Sequence, residues 1–569
     1  MSPDAFKARS PAGEFKRGRW AGVLIPALAC IAAASLVVST YHDLSPSFDE
    51  GYHIAAGVAI LQSGDYVPGF EQPPLARWPI GLLPYLSGAR YRPDDGTISG
   101  VSTPGYPLSP ILFDGQTDPM RRVIQGRLGV LLFLPVLLVT LWVWASRLHG
   151  PAAGVAALVL GAFSPNLMAH AGIASTDFPV TAMLFLACYR IYRWAEEPTV
   201  INGCLGALTV SLAAMTKYSA LVFLPPIALL LWAGMWRKRS VKRAAGAFRW
   251  SGPLKRGALY LAVAFAVAWA CYGFSARPIS DPSRQPRAII DRFATTGSLL
   301  TRGIDWFERN VPVPFLDTVN GLRTLNRHNR GGHEAFLLGE VRKQGWWYYF
   351  PAVIVFKTTL PLLALMLLAV ALTAVQRSAP AGRIYSLGAI VAILGVSMTG
   401  SINIGVRHIL PAYPFMAMLA ASAFHGIHVS TVFQSWLPRL AAALVIWHTG
   451  EGVLGMPDNI SYFNQTVRGR EHRILGDSNL DWGQGLVELR RFVKANGIES
   501  FYFHYFGSVD PRNFGIPEAI PMKPDDQPRG WAACSVTYLQ GIYGPGCRWA
   551  EGREPVSRIG RTIWMYRIP

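Results

Sequence analysis

Residues 20–53 read WAGVLIPALACIAAASLVVSTYHDLSPSFDEGYH. From Trp20 to Thr40 the stretch carries no charged residue and is long enough to cross the apolar core of a bilayer as a helix. Immediately upstream stand Lys7, Arg9, Lys16, Arg17 and Arg19, the arrangement of a signal anchor whose N-terminus stays in the cytoplasm. Just beyond the run, Asp49 and Glu50 set two carboxylates where a helix would leave the membrane. Acidic groups are poorly solvated near lipid, so those found there tend to serve ion binding, proton handling or catalysis.

The rest of the chain repeats this pattern. Of 569 residues, 51% are hydrophobic and 15% charged, where about a quarter would be charged in a soluble protein. Apolar runs recur near 20–40, 123–146, 152–170, 176–194, 202–216, 219–235, 257–275, 350–373, 385–400, 409–427 and 437–454. Alternating them from a cytoplasmic N-terminus puts Arg147, Arg193, the Arg237–Arg256 cluster, Arg377, Arg383 and Arg439 all inside. The fold class expected is therefore a polytopic α-helical membrane protein of about eleven transmembrane helices, in a plasma (inner) membrane, with its C-terminus extracytoplasmic. The net charge of +19 follows from these span-end cations, and no nucleic-acid partner is expected.

Three regions follow: a cytoplasmic N-terminus at 1–19, a membrane domain at 20–454, and an extracytoplasmic C-terminal domain at 455–569. The membrane domain would carry long outer loops at about 41–122 and 276–349. In the first loop, Gly51–Gln62 and Leu75–Leu86 have apolar residues at helical spacing, as helices lying on the membrane surface would. Pro93–Pro119 reads as irregular loop, and the aromatic run Trp346–Phe350 as an interfacial belt. The C-terminal domain alternates β-like runs at 500–506, 532–539 and 561–568 with a helix-like run at 485–496, a small α/β unit. Cys534 and Cys547 fall there and suit a disulfide on an oxidising face.

Several polar groups gather on the outer side of this topology. Asp49 suits a general base toward an acceptor hydroxyl, with Glu50 as a supporting carboxylate. Glu71 precedes Pro73 and Pro74, which fix its backbone, and suits a second carboxylate or an oxygen ligand to a divalent cation such as Mg, Mn or Zn. Asp177 stands in the first turn of a span, where it suits either helix capping with Ser175 and Thr176 or a site role. Arg407, His408, Lys217 and Arg127 are basic residues on a face where topology does not call for them, as an anionic phosphate would require. Asp477, Asn479, Asp481, Trp482 and Gln484 combine hydrogen bonding with a stacking surface, as acceptor- or sugar-binding residues do, or else form a turn before the following helix.

Taken in order, these segments resemble the lipid-carrier-dependent glycosyltransferases of the GT-C fold, in particular bacterial relatives of the protein O-mannosyltransferases and of the transferase that adds aminoarabinose to lipid A. Phe48-Asp49-Glu50 resembles the family's first-loop acidic motif, and Glu71-Gln72-Pro73-Pro74-Leu75-Ala76-Arg77 its acidic-x-Pro-Pro-Leu segment. Ser175-Thr176-Asp177, Asn403–Pro411 and Asp477–Gln484 are similar to segments of the bacterial subgroup. The resemblance implies transfer of a sugar from a polyprenyl-phosphate donor to a glycan, lipid or protein acceptor at the outer face. Asp49 would be the base, Glu50 and Asp177 its catalytic companions, Glu71 a second carboxylate or metal ligand, and Arg407, Lys217 and Arg127 the phosphate holders. Gln72 departs from the pattern, standing where the family has Lys or His. Two readings compete: a transporter using the outer carboxylates for substrate or ions, and a non-catalytic assembly protein. The first would place its carboxylates near the bilayer midplane, within repeats that this sequence lacks.

Overall fold

The computed structural model describes residues 21–64, 66, 71–92, 111–112, 118, 120–240, 251–278, 306, 312–314, 316–375, 380–424, 433–467, 469–522, 526–544 and 546–569. Most of Pro93–Pro119, the N-terminal cations and residues 241–250 of the Arg237–Arg256 cluster lie outside these residues.

A helix stands at every position where an apolar run was expected, from Ala21–Ser39 to Phe433–Leu454. By length and composition, two helical segments among the described residues can cross a membrane, Arg121–His149 and Leu254–Cys271, or up to four if each bent pair is one span. One bent pair, Pro151–Ala162 with Pro165–Ala171, breaks by 59° just before Pro165, a residue suited to start a helix but not to continue one. The other, Tyr349–Lys357 with Leu360–Thr373, turns by 113°. The run expected as a single span at 350–373 is therefore two helices, and the turn between them lets Lys357 point into the protein. Its ammonium donates to the carbonyls of Ile460, at 2.7 Å, and Asn479, at 2.6 Å.

The two helices expected on the membrane surface are present as Glu50–Ser63 and Arg77–Leu86, but the first is not a surface helix. Gly51 and every residue from His53 to Ile60 are buried. The reason lies in two glycines. A Cβ on Gly57 would fall 2.4 Å from the Arg77 carbonyl oxygen, and one on Gly81 would fall 2.3 Å from the Gly57 carbonyl carbon. The helices thus pack backbone to backbone, which only small residues allow. The aromatic run also divides: Trp346, Tyr349 and Phe350 are buried, while Trp347 and Tyr348 are exposed.

The C-terminal region is built on a mixed sheet. Its strands are β1 (Phe501–His504), β2 (Ala519–Pro521), β3 (Gly530–Ser535), β4 (Ser557–Ile559) and β5 (Ile563–Ile568), in spatial order β2-β1-β3-β5-β4. β1 runs parallel to β2 and β3, and β5 antiparallel to β3 and β4. The helix Leu486–Ala495 buries Leu486, Leu489 and Val493, a 3.6-residue stripe that shares its core with Phe501, Phe503 and Ile563. The β-like run expected at 532–539 ends at Ser535 and continues as the helical turn Val536–Leu539. That turn is drawn down onto Asp481, whose Oδ2 accepts the Thr537 N–H at 3.3 Å. A disulfide joins Cys534 to Cys547 and closes the loop between them.

This region does not hang apart from the helices. The Phe48 N–H donates to the Trp482 carbonyl at 2.9 Å, and the Ser45 N–H to the Gln484 carbonyl at 3.1 Å. The segment 477–485 is therefore laced to the strand of chain that leads into Asp49.

Candidate active site

Asp49 is the N-cap of the helix Glu50–Ser63, and its side chain keeps 29% of its exposure. Its Oδ2 pairs with Arg407 Nη1. The same nitrogen lies 3.9 Å from Asp177 Oδ2, and Asp177 Oδ1 pairs with Lys217 Nζ. Four residues from four distant parts of the chain thus form a line of alternating charge, Asp49–Arg407–Asp177–Lys217. Asp177 is buried, and the two cations keep 12% and 16% of their side-chain exposure, so the line opens at Asp49.

Arg407 is held from several sides. It lies in the 3-10 helix Val406–Ala412, entered through Gly405 at φ 146, a conformation L side chains rarely adopt. A Cβ there would also fall 2.3 Å from the Ser478 hydroxyl. The Val406 N–H donates to Asn479 Oδ1 at 2.9 Å. The guanidinium sits over the Trp482 ring, 4.5 Å from its centroid, a cation–π arrangement. Burial works against its charge, but Asp49, Asp177 and Asp477 outweigh that and hold it protonated above its ordinary range. Its Nε is buried and has no hydrogen-bond partner among the described residues.

His408 is half-buried beside this line, its titration pushed well below the usual imidazole range by burial and by Arg407 and Lys217. Its charged form is disfavoured there, so it adds no cation to the line. A further histidine that the sequence reading passed over belongs here. His53 lies one helical turn after Asp49, is 4% exposed, and has a buried Nδ1 without a partner among the described residues. Burial and Arg77 bring it down to about 3, with Asp49, Asp177 and Lys217 also within electrostatic reach. Its spacing from Asp49 was the available signal.

Glu50 and Arg127, expected as a catalytic companion and a phosphate holder, are committed elsewhere. Arg127 Nε and Nη2 donate to the two oxygens of Glu50 at 2.8 and 2.9 Å. The remaining donors go to the carbonyls of Tyr41, Leu44 and Ser45 at 3.0–3.2 Å. Glu50 also accepts the backbone N–H groups of Ser47 at 2.7 Å and Ala174 at 2.8 Å. Both side chains are buried, with no donor or lone-pair direction left over for a phosphate or a proton transfer. They tie the start of the Asp49 helix to the chain leading into Asp177.

Glu71 accepts the Tyr52 hydroxyl, and the Arg77 guanidinium lies 5.2 Å from the centroid of that ring. No three His, Cys, Asp or Glu side chains among the described residues gather as metal ligands would. Glu71 thus meets the Tyr52 hydroxyl rather than a cluster of metal-ligating side chains among the described residues.

The segment expected to bind acceptor or sugar turns most of its polar atoms inward. Asn479 Nδ2 donates to the Tyr349 hydroxyl at 2.9 Å while its oxygen holds Val406. Asp481 accepts the Gly483 N–H at 3.2 Å as well as Thr537, and burial pushes its carboxyl up to about 7. Gln484 Oε1 accepts the Trp482 N–H at 2.7 Å, and its amide donates to the Leu480 carbonyl at 2.9 Å. Asn479, Asp481 and Gln484 thus build the seat of Arg407 and Trp482 rather than an open sugar surface. Asp477 is buried as well, and it accepts the Ser478 N–H at 2.5 Å and the Tyr543 hydroxyl.

Residues 121–251 match the model of a family described as dolichyl-phosphate-mannose-protein mannosyltransferase, and this segment contains Arg127, Asp177 and Lys217. Over this segment the chain is similar to that family. No protein of curated function matches the chain. Among solved structures, it is similar to ArnT from Cupriavidus metallidurans bound to undecaprenyl phosphate, at 14% identity over 95% of this chain and 97% of that one, with a TM-score of 0.46. It is also similar to the oligosaccharyltransferase of Archaeoglobus fulgidus in the apo form, at 12% identity over 77% and 56% of the two chains, TM-score 0.45. The same organism's AglB, in complex with an inhibitory peptide and a dolichol-phosphate, gives 11% identity over 94% and 72%, TM-score 0.44.

Proposed function

We propose that this protein transfers a sugar from a polyprenyl-phosphate carrier to an acceptor hydroxyl, in a membrane and at its extracytoplasmic face. The family match over 121–251 supports the reaction class. The observation that carries the reading is the Asp49–Arg407–Asp177–Lys217 line, which sets an accessible carboxylate against two partly buried cations. Both charges of a transfer reaction have a counterpart in it: a proton to be removed and a phosphate to be held.

In this reading the donor phosphate docks on Arg407 and Lys217, with Arg407 Nε, which has no partner among the described residues, as a donor. A phosphate on Arg407 competes with Asp49 for the guanidinium. Asp49 is then released from its ion pair when the donor is in place, and only then becomes a base. It takes the acceptor proton as the acceptor oxygen attacks the sugar C1. The C1–phosphate bond breaks and polyprenyl phosphate leaves with the bonding electrons. A single displacement of this kind inverts the anomeric centre. Asp177 keeps Arg407 and Lys217 together, and Trp482 supports the guanidinium from below. About eleven helices would carry the site in a plasma membrane, N-terminus inside and C-terminus outside.

The test uses the purified protein in nanodiscs with polyprenyl-phosphate sugars, following polyprenyl phosphate by mass spectrometry for wild type and Asp49→Asn. Release by the wild type alone supports the transfer and the role of Asp49. Equal release by both removes Asp49 as the base. No release by either, across several donors and acceptor extracts, turns the reading toward transport, and product of retained configuration refutes the single displacement.

A further inference from the structure

Four non-glycine residues among those described have positive φ, and two of them meet: Asp477 at 53° and Tyr543 at 64°. Bulky residues rarely adopt this conformation, and strain of that sort persists only where surroundings impose it, often at functional sites. Here the strained tyrosine donates its hydroxyl to the aspartate. Tyr543 lies in the loop closed by the Cys534–Cys547 disulfide, so the C-terminal region reaches the charged line through it.

Its placement is fixed at every end. The Tyr543 N–H donates to Glu334 Oε2 at 2.6 Å. The phenol oxygen lies 2.7 Å from His333 Nε2, and His333 Nδ1 lies 3.0 Å from His328 Nε2. Because the hydroxyl proton points to Asp477, its oxygen accepts the Nε2 proton of His333, whose Nδ1 in turn accepts from His328. That tautomer requires a neutral His333, and burial, His328 and Arg407 hold it down to about 4. The ring stacks on Phe506 at 5.6 Å and 15°, and Phe506 on Phe48 at 5.3 Å and 19°, a pile that ends beside Asp49.

We propose that Tyr543 is a positioning residue of the transfer site, acting through Asp477 on the Arg407–Asp49 pair. Asp477 Oδ1 accepts the Ser478 N–H at 2.5 Å, and Oδ2 accepts Tyr543. Both oxygens are therefore occupied, although Arg407 feels the charge of Asp477 as it feels those of Asp49 and Asp177. Without the tyrosine hydroxyl, Oδ2 becomes a third claimant on the guanidinium. Arg407 would turn from the place where it meets Asp49 and the donor phosphate. Tyr543 satisfies Asp477 and so keeps Arg407 for the site.

The inference rests on the transfer reading, and the experiment separates the two. Release of polyprenyl phosphate from a polyprenyl-phosphate sugar is measured in nanodiscs for wild type, Tyr543→Phe, and Tyr543→Phe combined with Asp477→Asn. Tyr543→Phe keeps the stacked ring, and its donor KM is expected to rise roughly tenfold with kcat within about twofold, because binding to Arg407 is lost in ground and transition states alike. Neutralising the freed carboxylate with Asp477→Asn is expected to bring KM back to within about threefold of wild type, a rescue that a merely structural tyrosine would not show. His333→Leu, which removes the donor to the phenol oxygen, is expected to raise KM in the same direction, and His333→Gln, which keeps an N–H, to do so less. An unchanged KM in Tyr543→Phe, or a defect that Asp477→Asn does not relieve, overturns the inference and leaves the transfer reading standing. A wild type that releases nothing from any donor overturns both.

Discussion

Replacing Glu50 by Gln separates a positioning residue from a reacting one. The side chains are nearly isosteric, so no cavity opens and the cost is electrostatic. In the native protein Glu50 is fully buried, forked onto Arg127 at 2.8 and 2.9 Å, and holds two backbone N–H groups. Glutamine brings an NH2 against these donors and leaves the Arg127 charge buried without its partner. Breaking a buried pair from one side costs about 3–5 kcal/mol. An orphaned backbone N–H adds on the order of 1 kcal/mol. Taking roughly 4 kcal/mol as the net and an unfolding entropy of about 2.1 cal/mol/K per residue, the thermal midpoint should fall by about 3 °C in a chain of this size.

The assay is thermal unfolding of the nanodisc-embedded protein, followed by the fraction that remains monodisperse. Arg127→Met and the double variant complete a cycle. The double variant should lose about 3 kcal/mol less than the sum of the singles, because the charge stranded in Glu50→Gln is then absent. Asp49→Asn, one residue away and partly exposed, should shift the midpoint by less than about 1 °C while abolishing transfer. A Glu50→Gln protein that melts with the wild type and yet transfers no sugar would refute this division of labour, since Glu50 would then act on the substrate.

Lys217→Gln should weaken donor binding roughly tenfold, read as a higher donor KM, and also lower the thermal midpoint, because Asp177 is buried and Lys217 is its ion-pair partner. Replacing both Cys534 and Cys547 by Ser should destabilise the C-terminal region by about 3 kcal/mol, the entropy of closing a loop of this size, and thermal unfolding or limited proteolysis of that region would show it. Asp481 has a folded pKa of about 7, raised by burial above its unfolded value near 3.8, so the folded state binds the extra proton. Stability from this group is complete below the unfolded value and is lost as pH rises through about 7. Asp481→Asn should flatten the fall in thermal midpoint between about pH 4 and pH 7, and an unchanged slope would count against the assignment.

The sequence and the structure agree where local chemistry decides, and part where partners from far along the chain decide. Apolar runs are self-announcing, because burying apolar surface and pairing backbone groups both favour helix there, and each run is a helix. The breaks inside two of them are less legible. Pro165 marks one, but nothing local says that Lys357 must reach the carbonyls of Ile460 and Asn479, which lie about a hundred residues further on. The charged site shows the same division. Asp49, Asp177, Lys217 and Arg407 could be picked out as charges at helix ends, and the fold brings them into one line. Glu50 and Arg127 satisfied the same criterion and paired with each other, because sequence shows that a charge is present but not whether its partner is another side chain or a substrate. Composition left two readings open at 477–485 for a related reason. Residues that bind sugars by hydrogen bonding and stacking can equally hold a backbone, and Asn479 and Gln484 do so. Tyr543 and His333 gave no local signal, since an exposed tyrosine in a polar loop is commonplace. What singles them out is a left-handed backbone and a hydrogen-bonded chain that exist only once residues 328, 333, 477 and 543 meet. The C-terminal region therefore belongs to the site. Its Trp482 lies beneath the arginine, and its Asp477, held by Tyr543, adds its charge beside that arginine, so cutting the chain near residue 455 should abolish donor binding even if every helix still forms.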